Sequence, residues 1–544
     1  MEPKTSLLDL FPDVQDIPAT VRLSSPVHQR HILINGELLP WGGSVQAVYS
    51  PIYIRDSSGE LKPAVIGSYP LGGEDEAKLA LQAAVTAFDA GKGEWPSMSV
   101  QERIKRIWVL IQHMIRRKED IVKLIVWEIG KTVQDADTEF ERTIGYILES
   151  IKALKKLTNE SSQFIVQQNF IGQVKKVPHG VVLCMGPFNY PLNETFTTLI
   201  PALLMGNTVL FKPPKQGTLL FEPILEGFAE AFPKGVVNTV YGRGRDIVPT
   251  LMQSGDVDVL ALIGSSKVAN SLKKMHPKSN RLKSILGLDA KNAAIICADA
   301  DIALAVKECV AGALTYNGQR CTALKLLFVH SSLVQNFNER LVEEVDKLVV
   351  GMPWESGVTI TPLAEPDKPA YLVNCIQDAL VHGATILNNG HDSQTTTGSL
   401  VKPTVLFPVN EQMIVYREEQ FGPIIPIVPF DNPQVAIDYI TQSPYGQQVS
   451  LFSSDPTTLS LIIDRLTGQV GRININAQCQ RSPDSFPFSG RKDSAEGTLS
   501  VVDALTAFSV DSVVAMKHTT HNEQLLEAIL EQGMSSRLSN RVLF

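Results

Sequence analysis

The chain has 544 residues, of which 44% are apolar and 19% are charged, and its formal net charge at pH 7 is −8. This composition is that of a globular protein, long enough for several domains around a large core. The negative charge excludes bulk attraction to nucleic acid or to an anionic membrane, so a bound anion must meet a local group of Lys and Arg. We find no signal peptide and no apolar run of the roughly 18–20 residues that span a bilayer, and we expect a cytoplasmic protein.

Residues 1–50 are rich in Pro and Ser and poorly patterned, which predicts an arm that wraps the body. Between residues 75 and 160, apolar residues recur every three or four positions, which predicts helices. Residues 161–179 alternate weakly and residues 499–516 are apolar and rich in Val and Ala. Pairing of these two segments would present a sheet edge to another subunit.

From 180 to 290, short apolar runs alternate with segments of helical length. This pattern is typical of a parallel, doubly wound α/β sheet with helices on both faces. Such sheets bind ligands beyond the carboxyl ends of their strands, at a switch point. Here those ends are residues 186–189, 212–215, 242–244 and 264–266. A second alternating region runs from 291 to 498, and a polar tail follows Met516, with a short helix expected near 525–530.

Six cysteines occur at irregular spacings, and no two form a Cys-x-x-Cys pair. Zinc ribbons and thioredoxin-like redox motifs are therefore not expected, and the sequence predicts no metal site. In such a chain a cysteine is usually a reduced thiol in the core. The six are Cys184, Cys297, Cys309, Cys321, Cys375 and Cys479.

Cys321 is distinguished by its neighbours, in the segment Asn317-Gly318-Gln319-Arg320-Cys321-Thr322. An adjacent Arg and backbone N–H groups are expected to lower the thiol pKa and favour the reactive thiolate. A thiolate that adds to an aldehyde forms a thiohemiacetal, which becomes a thioester when it passes hydride to a nicotinamide. Taken alone, a short Gly-containing segment next to a cysteine is usually an ordinary turn.

Together with other motifs along the chain, the segment points to one protein family. Over residues 60–515 the chain resembles the aldehyde dehydrogenase superfamily, whose motifs occur in the family's order. These are Gly186-Pro187-Phe188-Asn189-Tyr190-Pro191, Lys212-Pro213, Gly264-Ser265, Gly318-Gln319-Arg320-Cys321, Glu418-Glu419-Gln420-Phe421-Gly422-Pro423 and Pro487-Phe488-Ser489-Gly490.

The resemblance implies a role for each matching residue. Cys321 is the expected nucleophile, and Asn189 with the Cys321 backbone N–H is the expected oxyanion hole, in which a preplaced amide donor stabilises the developing alkoxide. A nicotinamide cofactor is expected at Pro187, Phe188, Lys212, Lys215, Gly244, Gly264, Ser265, Glu419 and Phe421. Family members that prefer NAD commonly carry a Glu three residues after the ribose-binding lysine, where this chain has Lys215. Since a cation attracts a 2′-phosphate, we expect NADP rather than NAD.

Within the superfamily, the chain most resembles the non-phosphorylating glyceraldehyde-3-phosphate dehydrogenases, in which arginines hold the substrate phosphate. The matching residues are Arg142, Tyr190, Arg320 and Arg481. Arginine suits this task because its planar fork donates two hydrogen bonds while it stays charged. The resemblance implies NADP-dependent oxidation of glyceraldehyde 3-phosphate to 3-phosphoglycerate. It therefore also implies a role in glycolysis.

The chain departs from the family at the general base, the Glu that activates water for thioester hydrolysis. Counted without gaps, Gly287 occupies that position, and glycine cannot accept a proton. Three alternatives are open. Asp289 supplies the carboxylate, another group or a backbone-held water does so, or the acyl group passes to coenzyme A or is not turned over.

We therefore predict an α/β, aldehyde dehydrogenase-like fold in three parts with a tail. The Rossmann-like cofactor domain comprises 1–160 and 180–290, the catalytic domain 291–498, the oligomerisation hairpin 161–179 with 499–516, and the tail 517–544. By the resemblance we expect a homodimer or homotetramer.

Overall fold

The computed structural model describes residues 6–56, 58–388, 396–535 and 537–538. The first five residues of the predicted arm and the last six of the predicted tail lie outside these ranges. Within them, no helix combines the length and the apolar composition needed to cross a membrane. The α-helices are Glu74–Phe88, Glu94–Ser97, Val100–Arg116, Lys118–Ile129, Val133–Glu160, Asn193–Leu204, Glu222–Ala231, Gly244–Gln253, Ser266–Met275, Ile302–Leu314, Val334–Asp346, Lys368–Val381, Ile414–Arg417, Gln434–Gln442, Pro456–Leu466, Val501–Ala507 and Thr520–Glu531.

The first sheet has six strands. In spatial order they are Val237–Thr239, Thr208–Lys212, Val181–Met185, Val259–Ile263, Lys283–Gly287 and Ala495–Glu496. All neighbours are parallel except the last pair. Because helices cover both faces, the inner strands are apolar without alternation, as the sequence predicted. The order reverses beside Val181–Met185, so the switch point lies where that strand and Val259–Ile263 end.

The second sheet has seven strands, which are parallel except for the first pair. Buried side chains on its two faces form two separate core clusters, and a larger cluster surrounds the first sheet. The strands in spatial order are Thr385–Ile386, Thr404–Phe407, Ile424–Phe430, Leu326–His330, Ala293–Ile296, Gln448–Phe452 and Arg472–Ile475.

A third, antiparallel sheet joins distant parts of the chain, in the order Ser509–Lys517, Phe170–Pro178, Ile165–Gln167. The predicted pairing of 161–179 with the later segment is present in this sheet. The later segment differs from the prediction in its first half, where Val501–Ala507 is a helix that packs on Val133–Glu160 and Asn193–Leu204. Burial of Ala504 and Leu505 in that contact outweighs the strand preference of valine.

The N-terminal region is more regular than an arm. Val27–His28, Leu61–Pro70 and Val45–Arg55 form one sheet, and His31–Ile34 pairs with Glu37–Pro40. This hairpin is fixed to the first sheet, since the Leu33 N–H donates to Thr239 Oγ1 at 2.8 Å and the Asn35 N–H to Asn238 Oδ1 at 2.9 Å. The irregular pattern of residues 1–50 concealed these strands.

Candidate active site

One cavity of about 1020 Å³ contains nearly all the predicted site residues. Loops that follow strands of the first sheet form one wall, and residues that precede strands of the second sheet form the other. The predicted residues in its lining are Arg142, Pro187, Phe188, Asn189, Tyr190, Lys212, Lys215, Gly264, Ser265, Gly287, Asp289, Arg320, Cys321, Glu419, Phe421 and Arg481. Gly244 is next to one of these lining residues, since a Cβ at Gly244 would lie 3.6 Å from Lys212 Cε.

The turn that carries Cys321 is held on several sides. It follows the helix Ile302–Leu314, and Gly318 has a φ of +71°. A Cβ there would lie 2.7 Å from two backbone carbonyl oxygens, which explains the glycine. The Lys325 ammonium donates to the Gly318 carbonyl at 3.1 Å, and the Asn292 amide donates to the Cys321 carbonyl at 2.7 Å. These contacts fix the thiol in the cavity wall.

The thiol environment contradicts the expected depression of its pKa. Burial raises the pKa of Cys321 to about 11, and the charge of Glu194 adds to this effect. Arg481, rather than the adjacent Arg320, is the cation that opposes the shift. Arg320 instead directs Nη2 to the carbonyls of Gly312 and Ala311, at 2.9 and 3.2 Å. The other five cysteines are free and buried, as predicted.

Asn189 is buried and donates from Nδ2 to the Gln319 carbonyl at 2.8 Å, which holds it against the Cys321 turn. The loop that follows Asn189 is anchored by Glu139, whose Oε1 accepts from the N–H groups of Leu192 and Asn193 at 3.0 and 3.1 Å. Glu139 is also ion-paired with the buried Lys131. The amide of Asn189 is thereby preplaced at the thiol.

The residues at the first-sheet end of the cavity fit an anionic nucleotide. Burial lowers the pKa of Lys212 to about 8, and its ammonium donates to the Pro213 carbonyl at 3.0 Å. An ammonium that has lost its water is stabilised by an anionic or hydroxyl-bearing ligand. Ser265 caps the helix Ser266–Met275, whose N-terminal N–H groups favour phosphate. Lys215 is exposed at the rim of the same cavity.

The aromatic part of the cavity lies beside the second sheet. Phe188 and Phe421 meet edge to face, with ring centroids 5.9 Å apart. Glu419 forms an ion pair with Lys325 at 3.3 Å, and burial raises the pKa of this carboxyl. This grouping is where the family resemblance places the nicotinamide and its ribose.

Two of the predicted phosphate-binding arginines share an acidic partner that was not predicted. Arg142 and Arg481 both approach Asp484 Oδ1, at 3.0 and 3.6 Å, and Arg481 forms a second ion pair with Glu194. The Nε atom of Arg320 is buried and has no hydrogen-bond partner among the described residues. Beside them, the Lys131 ammonium lies 3.3 Å from the ring centroid of Tyr190.

The position of the family's deacylation base, Gly287, and the candidate Asp289 differ in their surroundings. Gly287 ends the strand Lys283–Gly287, and a Cβ there would make only ordinary contacts, the nearest at 3.5 Å. The Asp289 carboxylate accepts from both the backbone N–H and the Oγ of Ser266, at 2.7 Å each. Asp289 therefore faces the first turn of the helix Ser266–Met275.

The sequence did not single out Glu194, Lys131, Glu139 or Gln447. The Gln447 side chain lines the cavity, and its Oε1 accepts from Asn292 Nδ2 at 3.2 Å. A signal for Glu194 was available. It is the charged residue in the otherwise apolar and polar-uncharged helix Asn193–Leu204, five positions after Asn189.

Comparison with known proteins gives a consistent result. The aldehyde dehydrogenase family profile matches residues 58–514. A protein from Streptococcus equinus named NADP-dependent glyceraldehyde-3-phosphate dehydrogenase is 33% identical over 491 residues, which cover 89% of this chain and 97% of that protein. A protein of the same name from Nicotiana plumbaginifolia is 29% identical over 440 residues, with 79% and 86% coverage.

Solved structures agree. The NADP-dependent glyceraldehyde-3-phosphate dehydrogenase of Bacillus halodurans C-125, complexed with NADP, has a TM-score of 0.82 at 32% identity and covers 90% of this chain and 100% of that one. Lactaldehyde dehydrogenase from Escherichia coli has a TM-score of 0.82 at 26% identity, with the same coverage. Together with the two-sheet architecture and the placement of Cys321 opposite Asn189, these matches show that the chain belongs to the aldehyde dehydrogenase family.

Proposed function

We propose that the protein oxidises glyceraldehyde 3-phosphate to 3-phosphoglycerate with NADP, through a thiohemiacetal and a thioester on Cys321 and without an acyl phosphate. The observation that carries the proposal is the shared cavity, whose lining contains the nucleophile and Asn189 together with two lysines and three arginines: Lys212, Lys215, Arg142, Arg320 and Arg481. The names of the Streptococcus equinus and Bacillus halodurans proteins support the same substrate and cofactor.

The protein groups account for the chemistry at the thiol. The Cys321 thiolate attacks the aldehyde carbon, and the oxyanion accepts hydrogen bonds from Asn189 Nδ2 and the Cys321 backbone N–H. One such donor contributes roughly 2.7–4 kcal/mol to the transition state. NADP, when bound, supplies the hydride acceptor. Departure of hydride from the former carbonyl carbon leaves a thioester on Cys321, and attack by water breaks its C–S bond and returns the thiolate.

The preference for NADP is supported by the lysines of the first-sheet end. Lys212 is a half-buried cation at the end of the strand Thr208–Lys212, and Lys215 lies in the loop that follows this strand. A carboxylate at position 215 would repel the 2′-phosphate, whereas the ammonium attracts it. Asp289 stays a candidate for the base that activates the hydrolytic water.

We further propose a cytoplasmic homodimer or homotetramer that acts on the three-carbon phosphates of glycolysis. The edge strand Ser509–Lys517 supports association, because Val510, Val513 and Val514 are exposed on it and Phe170 is exposed on its neighbour. An edge strand with exposed apolar side chains is a favourable site for strand addition from a second subunit.

A steady-state assay tests the proposal directly. With glyceraldehyde 3-phosphate we expect NADPH formation, a lower rate with NAD, and 3-phosphoglycerate as the product with or without coenzyme A. Acyl-CoA formed in preference to the free acid would instead establish the acylating activity that Gly287 suggests. The phosphate site is tested with Arg320→Ala, which should lower kcat/KM for the phosphorylated aldehyde far more than for glyceraldehyde.

A further inference from the structure

Gly287 supplies no carboxylate where the family has its base, but five other carboxylates line the cavity. Asp289 is engaged with Ser266, and Glu419 is paired with Lys325. Two more acidic residues line the cavity farther out: Glu418 accepts from the Tyr371 hydroxyl at 3.2 Å, and Glu365 pairs with Lys368 at 3.1 Å.

Glu194 differs from these four in its relation to the thiol. It is the second residue of the helix that follows the Asn189 loop, and its side chain is only 12% exposed. It lines the same cavity as Cys321. Among the charged groups that act on the thiol, Glu194 has the largest effect on the pKa of Cys321. The carboxylate therefore shares the cavity with the thiol and acts on it through its charge.

Arg481 holds Glu194 in this place. Its guanidinium pairs with Glu194, donates to the Leu499 carbonyl at 3.1 Å and lies 4.7 Å from the ring centroid of Phe488. The carboxylate is thus fixed by a buried cation. Because Arg481 is also a predicted phosphate ligand, an arriving phosphate competes with Glu194 for the same guanidinium and leaves the carboxylate free to accept a proton.

We propose that Glu194 is the general base for hydrolysis of the Cys321 thioester, and that it supplies from the helix Asn193–Leu204 the carboxylate that Gly287 lacks. Glu194 accepts one proton from water while the water oxygen bonds to the acyl carbon. The C–S bond then breaks, the electron pair returns to Cys321 as thiolate, and the free acid leaves. Glu194 then returns its proton to solvent.

The inference rests on the proposed function, since it requires a thioester on Cys321. It is tested with Glu194→Gln by rapid mixing with glyceraldehyde 3-phosphate and NADP. We expect a burst of about one NADPH per active site that is no slower than in wild type, because loss of the Glu194 charge removes one cause of the raised Cys321 pKa, followed by a steady state slowed about 100-fold or more. Intact-protein mass spectrometry should show the accumulated acyl-enzyme.

Two further variants separate a base from a residue that only neutralises Arg481. Glu194→Asp keeps the charge and displaces the carboxylate, and should likewise retain the burst and slow turnover. Adding Gly287→Glu to Glu194→Gln should restore turnover, because the position has room for a Cβ. A purely structural Glu194 would not be rescued from position 287.

The inference is overturned if Glu194→Gln turns over within threefold of wild type, or if burst and steady state fall together. It is also overturned if Asp289→Asn, and not Glu194→Gln, accumulates the acyl-enzyme. Failure of the proposed function looks different, since the wild-type protein would then give no NADPH with glyceraldehyde 3-phosphate.

Discussion

At the residue scale, the thiol of Cys321 is both the expected nucleophile and a group whose pKa is raised to about 11 by burial and by Glu194. At pH 7 roughly one thiol in ten thousand is then ionised in the free protein. The chemistry requires the thiolate, so the free protein should be protected against alkylation and oxidation until its ligands arrive.

The raised pKa predicts that the rate of Cys321 alkylation depends steeply on pH. Because the pKa lies above the working range, the thiolate fraction rises about tenfold for each pH unit between pH 7 and 10. The rate of iodoacetamide labelling of Cys321 should follow that slope, measured by mass spectrometry with Cys321→Ser as the blank. A rate that levels off below pH 9 would contradict the assigned environment.

A second prediction concerns the nucleotide. Lys215→Glu should lower the ratio of kcat/KM for NADP to that for NAD by about tenfold or more, because a hydrogen bond to a charged group contributes roughly 1.5–3 kcal/mol. Lys156→Glu makes the same charge change at an exposed helix position and is the control. An unchanged ratio in Lys215→Glu would remove Lys215 from the phosphate site.

The sequence identified residues whose roles follow from family order, such as Cys321 and Asn189, but could not identify those whose roles depend on side-chain direction. Arg320 is adjacent to the nucleophile, yet one nitrogen of its guanidinium donates to two backbone carbonyls. Glu194 lies in the first turn of a helix, where an acidic residue commonly serves the helix dipole. Its contact with Arg481 joins residues 287 positions apart.

At the element scale, a buried ion pair links the helices Val133–Glu160 and Asn193–Leu204. The Lys131–Glu139 pair is almost entirely excluded from solvent, with side-chain exposures of 1% and 0%. Glu139 accepts from the loop that precedes the second helix, so the pair sets where that helix begins relative to Asn189.

Removing the cation from this pair leaves a buried carboxylate without compensation. We expect Lys131→Met to reduce the free energy of unfolding by about 3–5 kcal/mol, measured by urea denaturation. Lys152→Met, which breaks an exposed pair with Glu149, is the matched control and should change it by less than about 1 kcal/mol. Equal effects of the two substitutions would show that the buried pair is dispensable.

Elements were predictable where burial imposes a continuous pattern. The strands of the first sheet are covered on both faces, so their runs stand out in the sequence. The strands between residues 27 and 70 pair with one another in two small sheets outside the first sheet, and their pattern is broken by turns. The helix Val501–Ala507 depends on its tertiary contacts, which propensity does not reveal.

At the scale of the whole molecule, the strand Ser509–Lys517 forms an edge of the third sheet and exposes apolar side chains. Val513 is 62% exposed there. We expect Val513→Asp to dissociate the assembly, measured by light scattering after size-exclusion chromatography. Val381→Asp places the same charge on an exposed helix end and should leave the mass unchanged. A wild-type protein that is already monomeric would contradict the proposed association.

The late return of the chain to the first sheet has a consequence for synthesis on the ribosome. The sheet built from residues 181–287 acquires its last strand at Ala495–Glu496, and the helix Val501–Ala507 covers apolar faces made by residues 133–204. The Asn207 side-chain amide donates a hydrogen bond to the carbonyl of Phe508, which is made only near the end of synthesis. Nearly the whole chain must therefore emerge before the N-terminal half is complete. Until then the apolar surface that these elements cover stays exposed, which makes the unfinished chain prone to aggregation.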